Sequence, residues 1–122
     1  MLNEDWAHKF AFAWLAAWND HDLEAILEHY TADVVFHSPR IAQVMHKKID
    51  FVEGKKALAE YWGTALAQMN DLHFELENVF VGSDSLTITY QNHRGQKVAE
   101  TFRFNNLGLV VESTAAYRNS AL

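Results

Sequence analysis

Position 100 holds the most pointed chemistry in the chain. Alternation over 97–104 puts Val98, Glu100, Phe102 and Phe104 on one face, opposite Lys97, Thr101 and Arg103. Three of those four inward positions are apolar and one is a carboxylic acid. Burying an unpaired carboxylate is expensive, so Glu100 must pair, protonate or line a wet pocket. A carboxyl group with a raised pKa can donate a proton or a hydrogen bond, which makes Glu100 the first catalytic candidate. The same pattern also admits a frayed strand, a bulge that turns Glu100 outward, or a purely structural hydrogen bond.

Two further candidates sit at the end of the β-rich run 34–38, which Pro39 stops. If Phe36 faces inward, so does Ser38, and His37 faces outward. A one-residue slip would reverse this and bring His37 inside, so both are kept. A Ser before Pro is a common turn former, and no nucleophile elbow or Ser-His-Asp order supports attack by Ser38. The seven histidines show no i, i+4 pair with a neighbouring Glu, as a helical zinc site needs. No metal and no cofactor are expected. The absence of cysteine excludes disulfides, thiolate metal sites and cysteine nucleophiles.

Aromatic residues make up 13% of the chain, including four Trp. Buried Tyr and Trp need partners for their polar tips. Several in one small domain suggest a cavity walled by rings with a few donors, the usual makeup of a small-molecule site. The expected lining is Trp14, Trp18, Phe36, Tyr61, Trp62, Tyr90, Phe102, Ser113 and Tyr117, with Arg40 near the mouth if its strand end points inward. The expected ligand is a small apolar or amphipathic molecule. Lys47-Lys48 and Lys55-Lys56 fit a solvated face, although they could also draw an anionic ligand toward a pocket mouth.

These groups need elements to position them. Trp6, Phe10, Trp14 and Trp18 recur every four residues with alanines between them, which predicts a first helix over 3–18. Asp22 is placed to cap a second helix, whose buried side is Leu23, Ile26, Leu27 and Tyr30 and which 31–33 ends. Gly54 opens a third through Leu58, Tyr61, Trp62, Ala65, Leu66 and Met69. Residues 40–53 have no clean period and predict a loop with room for one strand. From residue 71 the period is two: Leu72, Phe74 and Leu76, then Leu86, Ile88 and Tyr90, then 97–104, then Val111, Ser113, Ala115 and Tyr117. Turn residues at 82–84, 93–95 and 105–108 separate these runs. Helices followed by antiparallel strands give an α+β fold. The polar sheet face would hold Thr87, Thr89, Thr101, Arg103 and Thr114, whose hydrogen-bonding rows suit a homodimer contact.

A length of 122 residues implies one domain over 1–122. The formal charge of −6 argues against a nucleic-acid surface. No apolar run approaches the roughly 18 residues of a membrane span. Glu4 and Asp5 stand where a signal peptide would be basic, so a cytoplasmic location is expected.

The segments 14–19, 22–26, 30–36 with Pro39, 54–58 and 102–105 together resemble the nuclear transport factor 2-like superfamily, which includes polyketide cyclase-like and ketosteroid isomerase-like proteins. The resemblance spans nearly the whole chain and specifies fold more strongly than activity. It implies a cone of curved antiparallel sheet closed by three helices around a deep apolar pocket, with dimerisation through the outer sheet face. Compared with ketosteroid isomerase, Ser38 stands where a base carboxylate is expected and Trp14 where an oxyanion-holding Tyr is expected. Glu100 stands where a protonated Asp is expected. Ser is no base at neutral pH without an activator, and Trp cannot exchange a proton. The resemblance thus implies a pocket with a carboxyl floor, but not steroid isomerisation. Either acid–base catalysis on an apolar, carbonyl-bearing substrate or simple binding of a hydrophobic ligand or protein partner fits.

Overall fold

The computed structural model describes residues 2–118. The first helix, α1 (Glu4–Asn19), begins where the Asn3 side chain accepts hydrogen bonds from the amides of Asp5 and Trp6. Glu4 and Asp5 fill its first turn, where the helix dipole favours negative charge. Phe10, Trp14 and Trp18 are buried with the small residues Ala7, Ala11 and Ala17, as the four-residue spacing predicts.

The second helix is shorter than expected. The Asp22 carboxylate caps it by accepting from the Ala25 amide, but α2 (Leu23–Leu27) ends before Tyr30. Tyr30 instead opens the strand β1 (Tyr30–His37), opposite Val110, and the Val110 amide donates to the His29 carbonyl. A strand partner 80 positions away in sequence overrides helical spacing here. Tyr30, Val34 and Phe36 all point into the core, and the pairing of β1 with β6 shifts register between Tyr30 and Val35.

Residues 40–53 resolve into α3 (Ile41–Met45) and the three-residue strand β2 (Phe51–Glu53). The Ser38 side chain helps to turn the chain, accepting from the Arg40 amide at 3.1 Å. Gly54 then takes φ +91°, which a residue with a Cβ rarely adopts, and donates to the Val34 carbonyl as α4 (Lys55–Gln68) begins.

The remaining strands are β3 (Glu75–Val81), β4 (Ser85–Gln91), β5 (Lys97–Phe104) and β6 (Val110–Tyr117). All six form one curved, unclosed sheet in the order β2-β1-β6-β5-β4-β3. Every pairing is antiparallel except β1 with β6, which is parallel. Two strand starts depart from the period-two pattern. Leu72 and Phe74 are buried but precede β3, because the Asn19 side chain takes the place of a strand neighbour. Its amide donates to the Phe74 carbonyl at 3.0 Å and accepts from the Phe74 amide at 2.7 Å. In β6 the core position is Val110 and not Val111, since a register shift beside Phe104 resets the alternation.

The helices cover one face of the sheet, and the core between them is largely aromatic. Phe102 packs edge-on to both Phe10 and Trp14, and Trp18 packs edge-on to Trp62. Among the described residues no helix is long and apolar enough to cross a membrane.

Candidate functional site

The strands β4 and β5 pair without a bulge, so their inward residues fall in fixed rows. Ile88 lies opposite Glu100 and Tyr90 opposite Val98, which makes Tyr90 and Glu100 diagonal neighbours on the inner face. The Tyr90 hydroxyl donates to Glu100 Oε1 at 3.0 Å. Glu100 is 3% exposed. Burial among rings pushes its carboxyl pKa up to about 8, against a smaller downward pull from the Tyr90 hydrogen bond. At neutral pH the group is mainly the uncharged acid, with an O–H of its own to donate.

Glu100 borders a small inner chamber of about 70 Å³. Trp14, Trp18, Phe36, Tyr61, Trp62, Tyr90 and Tyr117 wall it. The Trp14 indole N–H is already engaged, donating to the Tyr30 hydroxyl at 2.9 Å. Tyr30 is buried, and burial together with the nearby Glu100 raises its pKa. Burial also raises Tyr61, Tyr90 and Tyr117, followed by Glu100 at Tyr90 and Tyr117 and by the neighbouring Tyr117 at Tyr61, so every phenol around the chamber is a neutral donor.

Ser38 is buried beside the phenols of Tyr61 and Tyr117, close enough for its hydroxyl to favour their ionised forms. Phe102 and Ser113 are buried but line neither this chamber nor the wider one above it. Phe102 is locked between Phe10 and Trp14, and the Ser113 hydroxyl finds no hydrogen-bond partner among the described residues. His37 lies on the opposite face. No slip occurs: Phe36 pairs with Ser113 on the inner side, while His37 pairs with Thr114 and its Nε2 lies 3.3 Å from Glu112 Oε2. An outward His37 takes no part in the pocket.

The inner chamber shares six wall residues with an outer one of about 310 Å³. Arg40 lies in the outer wall, its guanidinium 4.5 Å from the centre of the Tyr117 ring. Sequence reasoning missed most of this mouth: Gln43 on α3, Gln68 and Met69 at the end of α4, and Asn92, His93, Arg94 and Gln96 in the β4–β5 turn. The turn residues read only as turn formers. Their shape comes from Asn92, whose side chain accepts from the Arg94 and Gln96 amides, and from Gly95 at φ +76°. Among the described residues, no three His, Asp or Glu side chains cluster as a metal site requires.

Residues 11–113 match the SnoaL-like domain. The chain belongs to the SnoaL-like family. A SnoaL-like protein of unknown function from Burkholderia thailandensis is 35% identical, with a TM-score of 0.90 over 98% of this chain and 100% of that one. Two more distant structures share the fold. AclR from Streptomyces galilaeus, described as a candidate hydroxylase, is 20% identical with a TM-score of 0.74, over 95% of this chain and 91% of its own. A protein from Sinorhizobium meliloti, described as a candidate polyketide cyclase, is 14% identical with a TM-score of 0.69, over 85% of this chain and 90% of its own. No curated protein matches. A SnoaL-like domain is a nuclear transport factor 2-like fold, in agreement with the resemblance read from the sequence.

Proposed function

We propose that this SnoaL-like chain is a small-molecule pocket protein in which the neutral Glu100 carboxyl acts as an acid toward a largely apolar, carbonyl-bearing substrate. The observation behind this is a buried carboxyl group at a chamber wall of aromatic rings, with its pKa pushed up to about 8 by that burial. A carbonyl oxygen brought to Glu100 would receive a hydrogen bond that strengthens as the oxygen gains negative charge. A group positioned in this way contributes roughly a hundred-fold or more to proton transfer.

The acid is one half of such a reaction. A proton leaving carbon needs an acceptor, and neither place compared with ketosteroid isomerase supplies one. Ser38 is a hydroxyl, and the Trp14 N–H is committed to Tyr30. This favours, as the second reading, a non-catalytic module that binds a hydrophobic ligand, with Glu100 as a hydrogen-bond donor. In either case we propose a homodimer through the outer sheet face, where Thr87, Thr101 and Thr114 form one row across three strands.

Hydrogen–deuterium exchange at the α-carbon of 2-tetralone, a compact two-ring ketone, followed by NMR in D₂O, separates the two. Catalysis predicts exchange accelerated by the protein and lost roughly a hundred-fold or more in Glu100→Gln, with ketone binding retained. Acceleration that Glu100→Gln leaves unchanged removes Glu100 from the chemistry. Binding without acceleration leaves the module.

A further inference from the structure

We propose that the outer chamber is an anion-binding subsite, in which Arg40 and His93 hold the carboxylate of an amphipathic ligand whose apolar body occupies the aromatic pocket. This rests on the pocket reading above and names the class of ligand it takes.

The chain carries 16 acidic residues against 10 basic ones. The outer chamber reverses that balance, with Arg40, His93 and Arg94 in its wall and no Asp or Glu. Arg40 is half-buried, and the groups that hold it are neutral. Its guanidinium donates to Gln96 Oε1 at 2.6 Å and to Gln43 Oε1 at 3.3 Å, and lies over the Tyr117 ring. No carboxylate lies within ion-pair distance of Arg40 among the described residues. The side chain is thus fixed in place with its charge uncancelled, an arrangement suited to a planar carboxylate.

The second observation is His93. Its side chain is only 8% exposed, yet neither ring nitrogen has a hydrogen-bond partner among the described residues. Its Nε2 lies 3.6 Å from Asp71 Oδ1, on a side chain that is 83% exposed. A buried, unpartnered imidazole is costly unless something else meets it. It offers an N–H in either protonation state. Below this polar mouth the wall turns apolar through Met69, Leu72 and Phe74, which suits an amphipathic molecule entering body first. The carboxyl group at the inner end does not repel such a ligand, because Glu100 is uncharged at neutral pH.

The test uses two probes of one shape, 2-naphthylacetate and its uncharged amide, titrated into the protein by calorimetry at neutral pH and low salt. The acid should bind about ten-fold tighter than the amide, and the preference should shrink as salt is added. Arg40→Gln should abolish most of the preference while shifting amide affinity less than about two-fold, and Arg94→Gln should reduce it less. Equal binding of acid and amide by the unaltered protein overturns the inference without any variant, as does Arg40→Gln weakening both alike. Binding of neither probe overturns both this inference and the pocket reading beneath it.

Discussion

The Tyr90 hydroxyl, on β4, donates its hydrogen bond to the Glu100 carboxyl, on β5, across a diagonal that the strand register fixes. The contact does not make Glu100 an ordinary carboxylate. One neutral donor offsets only part of the cost of stripping water from a charge. The pair therefore stays poised as two neutral O–H groups at the inner end of a pocket.

That burial makes stability depend on pH. Unfolding frees the carboxyl to ionise at its ordinary value. Between about 4.5 and about 8, then, the unfolded chain sheds a proton that the folded chain keeps. The stability tied to this group is full below that window, falls as pH rises through it and is level above. Relative to wild type, Glu100→Gln should gain up to about 1.4 kcal/mol per pH unit across the window. Urea denaturation of both proteins at several pH values measures the difference. A constant difference would show that Glu100 ionises normally in the folded chain.

The Asn19 side chain stands in for a strand neighbour of Phe74, which packs against Trp14 and Trp18. Asn19→Ala removes two hydrogen bonds and leaves two backbone groups part-buried and unmet. It should cost about 1–3 kcal/mol in chemical denaturation. A change of a few tenths would mean that water replaces the amide at no loss.

The proposed dimer predicts sedimentation at twice the 14.0 kDa chain mass at micromolar concentration. Thr101 lies in the middle of the threonine row, with its Oγ1 2.9 Å from Thr87 Oγ1. Thr101→Lys would bring like charges together across a two-fold contact and should yield monomers. A wild-type chain that sediments as a monomer contradicts the dimer directly.

What was legible in the sequence is what local periodicity determines. The Phe10, Trp14 and Trp18 stripe is set by helical repeat alone. The inward place of Glu100 is set by a strand whose pairing with β4 keeps strict alternation. The spacing of Tyr30 from Ile26 and Leu27 is helical, while the strand partner that claims it is distant in sequence. Phe74 lies outside its strand because a side chain from α1 supplies the bonds. His93 gave no signal, since a turn residue is buried only where other elements fold over it. Here those are the loop bearing Arg40 and the end of α4, which share its chamber.

The protonation of Glu100 at working pH is the most direct test. Carbon-13 NMR of the side-chain carboxyl carbons, with the Glu100 signal assigned by its loss in Glu100→Gln, gives the titration midpoint. A midpoint at about 8 is predicted, and a higher one in Tyr90→Phe, where the donor that favours the charged form is gone. A midpoint near 4.5 in the wild-type chain would mean a charged carboxylate at neutral pH, and would contradict the acid role at the centre of the proposed function.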